Sequence, residues 1–140
     1  MYLVPKPDFR KLGESLVTQK DMLELAITLT TDIRNRTAVH GVDYHNQAFR
    51  KYTPNYAKRK GSSKVDLLGK TTGPRMLNNM KQKATKKDAV IYFADSGKND
   101  LAVWNSDTRE FFEISSPNET KILKEYEKKL DAHIKRWERT

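Results

Sequence analysis

The chain has 140 residues, with 27 Lys and Arg against 18 Asp and Glu, a formal net charge of +9 and no cysteine. The missing thiol excludes disulfides, thiolate zinc sites and cysteine nucleophiles, and 36% hydrophobic content points to one domain, 1–140, with a thin core. No apolar run approaches the roughly 20 residues that span a bilayer, and the start Met1-Tyr2-Leu3-Val4-Pro5 lacks a basic stretch followed by an apolar one, so synthesis in the cytoplasm without a membrane partner is expected.

Residues 1–18 carry Pro5, Pro7 and Gly13 and read as an N-terminal arm. From Asp21 the apolar Met22, Leu25, Ala26, Leu29 and Ile33 recur every three or four positions, which predicts a helix over about 19–37. The β-branched Thr28, Thr30 and Thr31 lower its propensity, so burial of the stripe must hold it. Residues 38–47 are turn-rich, and 43–75 are expected as an extended loop or arm. A short helix should then follow, with Pro74 in its first turn and Met76, Leu77 and Met80 inward. Residues 89–94 are rich in strand formers, and the turn residues of 95–100 before Leu101-Ala102-Val103-Trp104 predict a hairpin. Residues 109–114 could add a third strand, although Phe111 and Phe112 cannot both face one core across a pleat. Ser116 as N-cap, Pro117 and Glu119 mark the start of a helix over 117–138, with Ile122, Tyr126, Leu130, Ile134 and Trp137 as its apolar stripe. The fold class is therefore α+β: a small antiparallel sheet packed with a long N-terminal helix and a C-terminal helix, plus a long basic loop.

The charge is local. Residues 50–87 hold twelve Lys and Arg against Asp66 alone, a net +11, which leaves the rest of the chain at −2. Within it, the run Phe49-Arg50-Lys51-Tyr52-Thr53-Pro54-Asn55-Tyr56-Ala57-Lys58-Arg59-Lys60 interleaves aromatic rings with cations. A merely solvated loop seldom does so, and the pattern suits either a phosphate backbone or an acidic protein neighbour.

Enzymatic signatures are weak. His40, His45 and His133 show no i, i+4 spacing for a shared metal, and His133 reads as a packing residue at a helix margin. Glu110 and Glu113 read as a solvated rim, with no phosphate cradle or nucleophile elbow nearby. Gly69-Lys70-Thr71-Thr72-Gly73 lacks the first glycine of a phosphate loop and the strand before it. Neither an enzyme nor a cofactor is expected.

Over residues 39–120 the chain resembles the phage virion morphogenesis family, the tail completion or head-tail joining proteins of tailed phages. One block is Gly41-Val42-Asp43 followed by Phe49, Tyr52, Thr53, Pro54, Tyr56, Ala57 and Lys60. A second is Leu67 or Leu68 with Thr72-Gly73, Met76 and Leu77, and a third is Arg109, Phe111, Phe112, Ile114, Ser115 and Glu119. It departs from the family pattern at Pro74, at Asn105-Ser106-Asp107 and at Glu113, which stands where the family has glycine.

The resemblance implies a structural protein of the virion neck: a homo-oligomeric ring, hexamer ahead of dodecamer, between the head connector and the tail terminator or tail tube, made in the host cytoplasm. The expected subunit or partner contacts are Phe49, Tyr52, Tyr56, Lys58, Arg59 and Lys60, with Arg109, Phe111 and Phe112 as a second interface. Arg50, Lys51, Lys64, Lys70 and Arg75 are the candidates for facing DNA in the conduit. The alternative is a sequence-nonspecific nucleic-acid-binding protein that uses residues 50–87.

Overall fold

The computed structural model describes residues 16–65, 67 and 76–139. Helix α1 (Gln19–Asn35) begins at a capping box in which the Thr18 hydroxyl accepts the Asp21 N–H and the Asp21 carboxylate accepts the Thr18 N–H. Its predicted stripe turns inward, with Leu25, Ala26 and Ile33 buried and Met22 and Leu29 half-buried. The threonines that weaken its propensity are satisfied locally: Thr28, Thr30 and Thr31 donate to carbonyls four residues back. Buried Thr30 also accepts the Gln82 amide across 2.9 Å.

The helix widens into a π-helical turn, Arg36–His40, that ends at Gly41 with φ 62°. A Cβ there would lie 3.1 Å from the Val65 carbonyl oxygen, so both backbone and space require glycine. Asp43 then organises a tight turn by accepting the His45 and Gln47 amides, each at 2.9 Å. The segment expected as an extended arm folds back: Phe49 and Leu67 are buried, Tyr52 and Val65 pack on the core, and a short helix α2 (Pro54–Lys60) forms between Thr53 as N-cap and Gly61 as C-cap. The expectations for residues 1–15, Lys70, Thr72-Gly73, Pro74 and Arg75 fall outside the described residues.

The hairpin differs from the one predicted. Met76–Asn79 is a 3₁₀ turn, β1 is Met80–Ala84 and β2 is Ala89–Phe93, paired antiparallel from Met80↔Phe93 to Ala84↔Ala89. A turn built on Thr85 connects them, its hydroxyl accepting the Lys87 and Asp88 amides. Residues 101–104 are instead part of helix α3 (Ser96–Thr108), because Asp95 accepts the Lys98 N–H and nucleates a helix. Asp, Ser, Gly and Asn serve turns and N-caps alike, so local composition could not separate the two.

The predicted third strand is likewise absent among the described residues. Residues 109–114 are irregular, which frees both phenylalanines from pleat alternation: Phe111 is fully buried and Phe112 half-buried, with Phe93 5.1 Å from Phe112 and 6.5 Å from Phe111. Helix α4 (Ser116–Glu138) starts one residue earlier than expected, with Ser115 as N-cap and Asn118 rather than Glu119 completing the capping box.

Helices α1 and α4 run antiparallel, as their side-chain contacts require: Asp21–His133, Glu24–Lys129 and Asp32–Lys121. The α4 stripe is only partly covered, with Ile122, Tyr126, Leu130 and Ile134 half-buried and Trp137 71% exposed. The result is an α+β domain whose core lies between α1, the hairpin, α3 and the returning 49–67 segment.

Candidate functional site

The basic-aromatic run builds a cation–ring stack around Tyr52 and leaves other cations of the run exposed. The Arg109 guanidinium donates from Nε to the Arg50 carbonyl at 2.9 Å and sits 4.9 Å from the Tyr52 ring centroid. Lys60 Nζ approaches the same ring at 4.9 Å and donates to the Lys64 carbonyl. Tyr56 packs edge-on against Tyr52 at 4.7 Å, and Arg59 lies 6.0 Å from the Tyr56 ring. The Tyr52 hydroxyl accepts the Leu67 N–H, closing the segment onto the core. Each ring attracts cations through its quadrupole, by about 0.5–2 kcal/mol depending on desolvation, so Lys60, Arg59 and the incoming Arg109 help hold the chain's own fold.

This placement corrects several expected contacts. Phe49 and Phe111 are core residues, and Arg109 is buried at 9% exposure, so none of the three presents a surface to a partner in this conformation. Tyr52 is half-buried within the stack. Lys58 and Arg59 are exposed, as are Arg50, Lys51 and Lys64, while Tyr56 and Lys60 stand at the edge. Phe112 reaches the surface by a different route, as part of an apolar groove described below.

Arg36 is a node that periodicity alone does not mark. Its Nη1 donates to Asn118 Oδ1 at 2.7 Å, and Nη2 donates to the Phe111 and Glu113 carbonyls at 2.8 Å each. One guanidinium thereby ties the π turn, the Phe111–Glu113 bend and the α4 cap together. Burial lowers its pKa against the opposing pull of Asp43 and Asp32. Among the described residues its Nε and the Thr37 hydroxyl are buried without a hydrogen-bond partner. The remaining sequence candidates for chemistry are surface features: Glu110 lies 3.8 Å from His45, with both side chains about half exposed. His133 lies 2.7 Å from Asp21, an interhelical side-chain hydrogen bond, so it is not simply a packing residue. No cluster of three metal-ligating side chains occurs among the described residues, and none of their helices is long and apolar enough to cross a membrane.

Two apolar surfaces stand open. A groove of about 540 Å³ runs between α1, β2 and α4, lined by Met22, Leu29, Val90, Phe112, Ile114 and Leu123 among others, with Glu113 as its one charged lining residue among those described. Ile114 and Leu123 at its rim are 56% and 55% exposed. The outer face of α3 offers Leu101, Val103 and Trp104, the last 61% exposed, while Ala102 and Asn105 point inward. Sequence reading missed this second surface because it assigned residues 101–104 to a strand. Comparison with family models, curated proteins and solved structures finds no match.

Proposed function

We propose that the chain is a structural, non-enzymatic subunit of a tailed-phage neck, which closes into a ring between connector and tail and so completes the tail and joins it to the head. The resemblance in residues 39–120 supplies the class, and the uncovered groove between α1, β2 and α4 is the observation that carries the reading. Apolar surface left in water forgoes about 25 cal/mol for every Å² that burial would recover. A contiguous patch of this kind marks an interaction site.

The second copy supplies a fitting occupant. The Leu101–Val103–Trp104 ridge on α3 lies outside the groove, so groove and ridge on one chain form the two halves of a head-to-tail contact. Such heterologous contacts close into rings when the rotation per subunit permits. Lys58 and Arg59 on α2 remain exposed for an acidic neighbour above or below the ring. Six copies, ahead of twelve, and residence in the virion are what the family resemblance adds.

Light scattering and negative-stain imaging of the purified chain test this. Wild type should form closed rings, and Leu123→Asp in the groove and Trp104→Asp on the ridge should each abolish them without lowering the melting temperature. Because each variant keeps one intact half, a mixture of the two should stop at heterodimers. A wild type that stays monomeric at its highest soluble concentration, and that fails to join isolated heads to free tails, overturns the proposal.

A further inference from the structure

Besides the exposed Arg50, Lys51, Lys58, Arg59 and Lys64 around α2, four further basic residues lie together on the hairpin. The burial alternation of β1 puts Met80, Gln82 and Ala84 inward and Lys81 and Lys83 outward. Their cross-strand partners Tyr92 and Val90 are exposed too, so the outer face of the sheet is a plate of two lysines, a tyrosine and a valine. Lys83 Nζ lies 5.3 Å from the Tyr92 ring centroid, and Lys86 and Lys87 extend the plate into the exposed turn.

The charge balance of this face differs from that of α4. On α4, Lys121, Lys128, Lys129 and Lys135 each pair with a carboxylate. Among the described residues Lys81, Lys83, Lys86 and Lys87 pair with none, and Asp88 is the one acid in residues 80–93. Antiparallel sheets ordinarily gain from opposite charges across the ladder, and like charges side by side cost free energy. Lys81 and Lys83 share one face of one strand about 6.7 Å apart, twice the strand rise, with only a tyrosine and a valine opposite.

We propose that the outer face of the β1–β2 hairpin binds the phosphate backbone of duplex DNA without reading its sequence, through Lys81, Lys83, Lys86 and Lys87. A polyphosphate chain supplies anions at close, regular intervals, which suits lysines spaced along one strand and its turn. The face holds no Asn, Gln or Arg to form bidentate contacts with base edges, so the binding is positional and salt-sensitive. The inference does not depend on ring closure, since every contact lies within one hairpin.

Fluorescence anisotropy with a labelled duplex of arbitrary sequence, titrated at several salt concentrations, tests it. The wild-type log affinity should fall linearly with log salt. Lys81→Gln/Lys83→Gln should weaken binding at low salt and reduce the slope by about 1.8, at roughly 0.9 per phosphate contact, while Lys81→Arg/Lys83→Arg restores both.

Removing equal charge from α2 with Lys58→Gln/Arg59→Gln should leave the slope unchanged. Equal losses in the two double variants would reduce the effect to net charge and overturn the assignment. So would an unaffected hairpin variant, or a wild type that binds poly-glutamate but not DNA. The Leu123→Asp monomer should still bind, which separates failure of this inference from failure of the ring.

Discussion

The pairing of Asp21 with His133 fastens the start of α1 to the far end of α4, and its strength can be worked from the carboxylate. Burial alone pushes the Asp21 carboxyl up, but the Thr18 N–H, the His133 ring, the Thr18 hydroxyl and the His133 charge outweigh it and draw the pKa from 3.8 to about 2. At about 1.4 kcal/mol per pKa unit, the ionised form stabilises the native state by about 2 kcal/mol. Because the folded value lies below the unfolded one, this contribution is full above pH 3.8 and is lost as pH falls through about 2. Asp21→Asn should therefore lower stability by about 2 kcal/mol at pH 5, or roughly 8 °C in melting temperature for a domain of this size. Urea denaturation of both proteins from pH 5 down to pH 2 should show the gap closing at the acid end. A gap that stays constant across that range would mean that the carboxylate's charge is not what holds the two helices.

Three further substitutions test the fold around the site. Arg36→Met strips donors from Asn118 and from the Phe111 and Glu113 carbonyls and should cost about 3 kcal/mol or more; Arg36→Lys should not rescue it, since an ammonium lacks the planar fork, and full rescue in urea denaturation would contradict the node. Tyr52→Ala should destabilise by about 3 kcal/mol because the ring packs on the core beneath Arg109, whereas Tyr56→Ala at the edge should cost under about 1.5 kcal/mol; equal thermal shifts would return Tyr52 to the surface. Gly41→Ala meets both a left-handed backbone and the Val65 carbonyl, whereas Gly61→Ala at φ 82° meets no atom within 4 Å. Calorimetry should find Gly61→Ala destabilised by about 1 kcal/mol and Gly41→Ala by more.

Neck assembly and DNA contact, as proposed, draw on different faces of the molecule. The groove and the α3 ridge are apolar and suited to copies of the chain, while the hairpin plate is cationic and meets the groove edge at Val90. The α2 run, which carries the most conspicuous aromatic-basic pattern in the sequence, serves mainly to close the 49–67 segment onto the core through Tyr52 and Arg109. The exposed cations in and just after it, Arg50, Lys51, Lys58, Arg59 and Lys64, carry only part of the local excess of charge. Four more of these cations, Lys81, Lys83, Lys86 and Lys87, fall on β1 and its turn.

Periodicity determined α1, α4 and β2, because each is written in near-neighbour chemistry: a stripe at three- and four-residue spacing or a β-branched run. The cap of α4 was legible only to within one residue, and the Thr18 cap of α1 emerged with the structure. Tertiary structure decided the rest. The partner of β2 is Met-Lys-Gln-Lys-Ala, which buries Met80 alone and has no apolar alternation to announce it; α1 covering one face and Thr85 setting the turn make it a strand. Asp95 could close a turn or cap a helix with the same carboxylate, and packing of Ala102 and Asn105 on the 3₁₀ turn and β2 selected the helix. Which cations are spent inside the subunit and which are left for a ligand depended on partners far away in the chain: Arg109 lies 59 residues from the Arg50 carbonyl it binds, and Arg36 lies 75 residues from Phe111. A local pattern records what a segment can touch, and only the closed fold settles what it does touch, because pairing energy depends on distance in space and not on separation along the chain.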